Sequence, residues 1–224
     1  MPRDLLVFDM DGVLVDVTQS YRATIQETVR HFAGISVSPE QIQDYKNQGG
    51  WNDDFALSHR MIEDVGARVA YNAVVAYFQR IFHGANEDGK ILQEKWVACE
   101  GLFDRLFAHY SLSVFTGRYQ WEAILTLKRF APSMFCPVVG SDNVERAKPA
   151  PDGLIKILEE VPHDRAWYIG DTVDDARASS AARVPFIGIA APGSSRYEEL
   201  RVLLASEGAI AVLDSINQLE SVIE

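Results

Sequence analysis

The chain has little cysteine, little histidine, no long apolar run and no basic tract. Cys99 and Cys136 are its only two cysteines in 224 residues, far apart and without partners at metal-ligand spacing. That excludes a disulfide framework and a thiolate metal site. The expectation is two buried free thiols in a reducing compartment. His31, His59, His83, His109 and His163 stand singly, which leaves zinc without a ligand cluster. No apolar stretch approaches the length of a bilayer span, so no membrane partner is expected. The first apolar strand begins within five residues of Met1, so no leader is expected and the cytoplasm is the expected location. Lys and Arg number 21 against 32 Asp and Glu, a formal net charge of −11. Without a cluster of basic residues the chain cannot neutralise a phosphate backbone, which disfavours nucleic acid as a partner. An acidic chain that handles an anion must gather positive charge locally, from a few side chains or a metal ion.

What is present begins at once. Leu5-Leu6-Val7-Phe8 is a short apolar run, predicted as a strand buried on both faces. At its carboxyl end stand Asp9 and Asp11, then Gly12, which can take a tight turn. A helical pattern follows. Tyr21, Ile25, Val29 and Phe32 lie on one helix face that ends near Gly34, and Ser38-Pro39 is a helix start. Leu57, Met61 and Val65 mark another helix, and Val74, Tyr77, Phe78, Ile81 and Phe82 a further one. Between them, residues 47–54 carry Gly49-Gly50-Trp51, either a substrate-facing loop or a connector with Asn52 or Asp53 as cap. Gly84 to Lys90 nearly matches a phosphate-binding P-loop. It is rejected, because Ile91 replaces the magnesium-holding hydroxyl and a helix precedes it.

From Gly101 strands and helices alternate. Ser113–Thr116, Val138–Gly140, Trp167–Ile169, Phe186–Ile189 and Ile210–Leu213 are predicted strands. Helices run through Ile124 and Leu127, from Asp152 as cap through Leu154, Ile155, Leu158 and Val161, and from Ala176 to Ala182. This alternation predicts an α/β fold, a parallel sheet with helices on both faces. Asp9 and Leu112 are 103 residues apart, far more than a strand crossover needs. The helical stretch 17–95 is therefore expected as an inserted unit. Residues 1–16 and 96–224 form the core, and the insert is placed as a lid over the carboxyl ends of the strands.

Four motifs follow or lie just beyond these strands: Asp9-x-Asp11, Thr116-Gly117-Arg118, Lys148-Pro149 and Gly170-Asp171-x-x-Asp174-Asp175. Phosphoryl transfer through a carboxylate nucleophile needs this set. A carboxylate approaching a phosphate dianion meets strong repulsion, so the site must supply cations. Magnesium takes oxygen ligands, one or two carboxylates plus a substrate phosphate, and Asp9 and Asp171 fit that part. Asp174 or Asp175 would order them. Lys148 supplies positive charge, and Thr116 a hydroxyl donor aided by amides opening the next helix. Asp11 would protonate the leaving alcohol and then deprotonate the attacking water. Arg118 would either touch substrate or pair with acids on the adjacent helix. The structural alternative is that Asp171 to Asp175 only cap the next helix. Tyr21, Trp51, Asn52 and Arg60 are candidates within the insert, each favoured as structural.

Val7-Phe8-Asp9-Met10-Asp11-Gly12-Val13-Leu14, Phe115-Thr116-Gly117-Arg118, Lys148-Pro149 and Ile169-Gly170-Asp171-Thr172 resemble, in order, the four signature motifs of the haloacid dehalogenase-like hydrolases. The resemblance implies a Rossmann-like core and a type 1 helical cap in the insert. It implies a phosphoaspartyl intermediate on Asp9, and magnesium held by Asp9, the Asp11 carbonyl and Asp171. Asp175 matches the second acid of motif four, with Asp174 as competitor. Thr116, Gly117, Arg118 and Lys148 become the phosphate-binding residues. The implied activity resembles that of phosphoglycolate and sugar-phosphate phosphatases, acting on a small phosphorylated metabolite. Family dehalogenases lack the acid that Asp11 supplies. A phosphomutase is the nearer alternative, although Tyr21 stands about where the mutases carry a histidine. A Schiff-base phosphonate hydrolase would need a lysine such as Lys46. A phospho-accepting regulatory module is the alternative outside the enzymes.

Overall fold

The structure is a computed structural model that describes residues 3–85, 88–131 and 133–223. Asn86 and Glu87, inside the rejected P-loop match, lie outside the described residues. The chain divides into two compact units, a core of Met1–Val15 with Trp96–Glu224 and a second unit of Asp16–Lys95.

In chain order the strands are β1 (Leu5–Phe8), β2 (Val15–Asp16), β3 (Lys95–Trp96), β4 (Ser111–Phe115), β5 (Val138–Val139), β6 (Ala166–Gly170), β7 (Phe186–Ile189) and β8 (Ala211–Leu213). Six of them form one sheet in the order β5-β4-β1-β6-β7-β8, and β2 pairs with β3. Every neighbouring pair in the larger sheet is parallel. β1 is bonded on both edges, and alternate residues leave it on opposite faces. Leu5 and Val7 join a cluster with Phe115, Leu154, Ile157 and Tyr168. Phe8 turns the other way, its ring edge-on to Phe103 at 5.5 Å and to Phe135 at 5.8 Å. All four β1 residues are fully buried, which is why the segment is apolar without alternation.

The second unit is helical: α1 (Ala23–Ala33), α2 (Pro39–Gln48), α3 (Asp54–Asp64) and α4 (Tyr71–His83). A π-helical turn, Thr18–Arg22, leads into α1, and Gly34 closes it with a left-handed φ of 70°. Ser38 and Gln41 close a capping box on α2, and Asp53 caps α3 through the amides of Phe55 and Ala56. Tyr21 stacks 4.0 Å from Phe82, and Phe55 meets Phe78 at 5.0 Å, so Tyr21 belongs to this unit's core. Trp51 is half-buried against Tyr45, and Arg60 pairs with Asp64. Val65 departs from the expected stripe. It stands at the end of α3, exposed, while Ile62 takes the inward place.

The core adds α5 (Leu102–His109), α6 (Gln120–Phe130), α7 (Asp152–Glu160), α8 (Val173–Ala182) and α9 (Tyr197–Ser206). Three expectations change here. α5 is absent from the helices expected of the sequence, yet its Phe103 packs on Phe8 of β1. Asp152 does not cap α7, because its carboxylate accepts from Arg146 instead. Cys99 and Cys136 are both exposed: one lies in the loop before α5, the other just before β5 at the sheet edge. Among the described residues no helix is long and apolar enough to cross a membrane.

Candidate active site

Chain order reverses at β1, with β4 on one side of it and β6 on the other. In open parallel sheets that reversal opens a crevice at the carboxyl ends of the strands. Phe8 is in register with Val114 of β4 and with Ile169 of β6. One to two residues further on, Asp9, Thr116 and Asp171 leave the sheet at the same end. Register alone thus gathers three motifs that lie far apart in sequence.

Asp9 is 4% exposed. Lys148, its side chain fully buried, donates from Nζ to Asp9 Oδ1 at 2.7 Å and to Asp175 Oδ1 at 2.6 Å. The ammonium also lies 4.9 Å from the centre of the Phe115 ring and 5.4 Å from that of Tyr168, a further stabilisation of buried positive charge. The Lys148–Pro149 peptide bond is cis.

Asp175 is the most fully engaged residue of the group. Thr172 donates to its Oδ2 from the backbone at 3.0 Å and from the hydroxyl at 2.6 Å, while the Asp175 amide donates to Thr172 Oγ1 at 3.2 Å. This is the capping box of α8, so Asp175 both starts that helix and anchors Lys148. The cap expected of this acid run is formed by the same side chain that binds Lys148. Tyr168 Oη is 2.7 Å from Asp175 Oδ1 and donates its proton there. Asp174 is buried one position earlier on α8.

Carboxylate oxygens of Asp9, Asp171 and Asp175 all lie within 4.8 Å of one another. Gly12 explains how Asp171 fits. Its φ is 77°, and a side-chain carbon there would stand 2.0 Å from Asp171 Oδ2. Gly170 is equally constrained, since a carbon there would meet Asp175 Cβ at 2.5 Å.

Three carboxylates against one ammonium leave excess negative charge in a buried place. Burial above all, then the nearby Asp175 and Asp11, push Asp9 up to about 7 despite Lys148. Burial would raise Asp175 too, but the Lys148 charge and hydrogen bonds from Lys148, Thr172 and Tyr168 hold it below its ordinary value. Burial alone would lower Lys148, yet its two carboxylates outweigh that and raise it. Burial drives the Tyr168 phenol well up, so it acts as a donor. An all-oxygen donor set with uncompensated negative charge suits a hard dication such as magnesium.

Asp11 and Arg118 form a second pair. Arg118 Nε donates to Asp11 Oδ1 at 2.8 Å, Nη2 donates to the same oxygen, and Nη1 donates to Thr126 Oγ1 at 3.0 Å. The expectation for Arg118 is to touch substrate or pair with acids on the adjacent helix; the acid it pairs with is Asp11, in the turn after β1. Thr116 is buried, and its hydroxyl oxygen accepts the Arg118 amide at 3.2 Å, leaving its own proton to donate. Gly117 lies between them, half-buried. Tyr168, Thr172 and Phe115 were not singled out from the sequence as site residues. Thr172 was findable from the Thr-x-x-Asp spacing of a capping box. Nothing distinguished Tyr168 from an ordinary strand residue.

The profile of the haloacid dehalogenase-like hydrolases matches residues 6–189. A protein of Phytophthora nicotianae named imidazoleglycerol-phosphate dehydratase is 32% identical over 200 residues, spanning 85% of this chain. The chain spans only 44% of that protein's length. A phosphoglycolate phosphatase of Pseudomonas fluorescens is 22% identical, covering 98% of this chain and 79% of its own length. The solved structure of a predicted phosphoglycolate phosphatase from Haemophilus somnus superposes with a TM-score of 0.76 at 16% identity, covering 98% of this chain and 97% of that one. The last likeness is one of fold, a Rossmann-like α/β architecture. With the profile spanning all four motifs, the chain belongs to the haloacid dehalogenase-like hydrolases.

Proposed function

We propose that the chain is a magnesium-dependent phosphatase that cleaves a small phosphate monoester through an aspartyl phosphate on Asp9. The observation that carries this reading is the setting of Asp9. It is a buried carboxylate at the sheet's reversal point, bonded to Lys148 and within 4.8 Å of Asp171 and Asp175. A structural carboxylate gains nothing from that crowding, whereas a nucleophile that must approach a dianion needs the cations it attracts.

Asp9, Asp171 and Asp175, with the Asp11 carbonyl that the resemblance implies, would hold magnesium; bound there, it supplies charge that offsets repulsion between Asp9 and the phosphate. Lys148 keeps Asp9 in place and adds positive charge beside it. Thr116 donates its hydroxyl proton to a phosphate oxygen, and the Gly117 and Arg118 backbone lines the same turn. An Asp9 oxygen bonds to phosphorus as the ester P–O bond breaks, and Asp11 gives its proton to the departing alcohol oxygen. Water then attacks phosphorus, its proton returns to Asp11, and the Asp9 carboxylate is restored with release of phosphate.

By the resemblance, the helical unit Asp16–Lys95 would be the cap that selects the alcohol portion. The test is phosphate release from a panel of monoesters, with magnesium and with chelator, beside Asp9→Asn. The names of the relatives place phosphoglycolate and an imidazole-bearing glycerol phosphate in that panel. Magnesium-dependent release that Asp9→Asn abolishes supports the reading. No release, with phosphate trapped on Asp9, would turn it towards a mutase or phospho-accepting module.

A further inference from the structure

We propose that Arg118 is the positioning residue for Asp11: its guanidinium grips Oδ1, and so makes Oδ2 the oxygen through which protons pass. The proposal rests on the phosphatase reading and adds a residue and an atom to it.

The grip is one-sided. Nε and Nη2 of Arg118 both donate to Asp11 Oδ1, and among the described residues nothing hydrogen-bonds Oδ2. An oxygen that accepts two N–H groups has no room for a proton of its own. The geometry leaves Oδ2 as the oxygen through which a proton would pass. The side chain of Asp11 keeps 28% of its exposure, while that of Arg118 keeps 1%. The gripping group is sealed and the gripped one faces open space.

Arg118 is itself anchored. Nη1 donates to the fully buried Thr126 hydroxyl at 3.0 Å. Its amide donates to Thr116 Oγ1 at 3.2 Å, and its carbonyl accepts from the Ser141 amide at 2.9 Å. Nε, Nη1 and Nη2 each already donate and the side chain is only 1% exposed, so the guanidinium in this arrangement is not placed as a phosphate ligand. A planar fork fixes the carboxyl plane in a way a lysine point charge cannot. A general acid held in one orientation removes a search from the step in which the alcohol leaves.

In that step the ester P–O bond breaks, the Asp11 Oδ2–H bond breaks, and a new O–H bond forms on the alcohol. A 4-nitrophenolate leaves without this proton, whereas an alkoxide does not. The experiment is a single turnover, enzyme in excess, comparing an alkyl phosphate with 4-nitrophenyl phosphate in wild type, Arg118→Ala, Arg118→Lys and Thr126→Val. The expected result is that the alkyl-to-nitrophenyl rate ratio falls by about tenfold or more in Arg118→Ala. Guanidinium ion added to that variant should restore part of the ratio. Arg118→Lys should fall between, and Thr126→Val should shift the ratio in the same direction by a smaller factor. Both rates falling together, or KM rising for both esters at an unchanged ratio, would overturn the proposal, because Arg118 would then be structural or a phosphate ligand. Should Arg118→Ala fail to fold, an unchanged ratio in Arg118→Lys and Thr126→Val overturns it equally. A wild-type enzyme inert towards both esters would sink the phosphatase reading itself, and is read before any variant is made.

Discussion

Lys148 Nζ and Asp175 Oδ1 are 2.6 Å apart, and neither side chain has any solvent exposure. Asp9 is bound to the same ammonium, so Lys148 is the only cation holding these two buried carboxylates together among the contacts described. Replacing it with methionine keeps the volume and removes the charge. Asp9 and Asp175 would then share a sealed place without a counter-charge, at an expected cost of roughly 3–5 kcal/mol. Urea unfolding of Lys148→Met measures this, and adding Asp175→Asn should recover part of the loss. Phosphate release should fall roughly a hundredfold or more in the single variant.

The pH dependence follows from Asp9. Its ordinary value is 3.8 and the folded value is about 7, so the folded state binds the proton more tightly than the unfolded chain does. Its contribution is favourable in acid, where both states are protonated, and is lost as pH rises from about 4 through about 7. The loss is on the order of 4 kcal/mol by that shift. Asp175 acts the opposite way: held below its ordinary value, it stabilises at neutral pH and loses that effect on acidification. Unfolding curves in chelator should therefore show wild type losing stability between pH 5 and pH 8, and Asp9→Asn losing much less. Magnesium should flatten the wild-type slope. If it leaves that slope untouched, the carboxylate cluster is not the ion's place.

Much of this site is legible in the sequence because register converts strand positions into spatial neighbours. Asp9, Thr116 and Asp171 each follow a β-branched or aromatic run, and parallel pairing of β1 with β4 and β6 does the rest. Lys148 stands apart, since it follows no strand closely and was identified through its motif. What stays hidden is the support beneath the site. Tyr168 is one apolar-looking position in Trp167-Tyr168-Ile169, and only packing reveals that its hydroxyl reaches Asp175. Arg118 left two options open because a guanidinium serves a phosphate or a carboxylate equally well. The choice depends on Thr126, one turn and more along α6. The exposure of Cys99 and Cys136 escaped for a similar reason: both lie in connecting segments, where residue type says little about burial.

Tyr168→Phe isolates that hidden support. The ring would still lie beneath the Lys148 ammonium, and the Phe115 carbonyl would lose a neighbour 3.1 Å away. The hydroxyl proton on Asp175 Oδ1 would be gone, leaving Lys148 and Thr172 to hold that carboxylate. A stability loss of about 1–3 kcal/mol is expected, the cost of one hydrogen bond to a buried charge. Activity should fall by less than Lys148→Met, and the magnesium concentration for half-maximal rate should rise. An unchanged magnesium response, with stability lost, would mean that Tyr168 supports the fold alone.

Gly12→Ala tests how tightly the Asp171 carboxylate is framed. The backbone there has φ of 77°, where a side chain is already strained, and the added carbon would stand 2.0 Å from Asp171 Oδ2. Asp171 is the part able to give way, because the Gly12 N–H is held by its hydrogen bond to the Val15 carbonyl at 2.9 Å. The carboxylate would therefore swing out of the group it shares with Asp9 and Asp175, while the buried strand β1 keeps the core folded. Calorimetric titration with magnesium should show affinity reduced about tenfold or more, the scale for displaced metal-site partners. Circular dichroism and the unfolding midpoint should change little beside that loss. Full magnesium affinity in Gly12→Ala would mean that Asp171 is not a ligand, and that the ion is held by Asp9 and Asp175 without it.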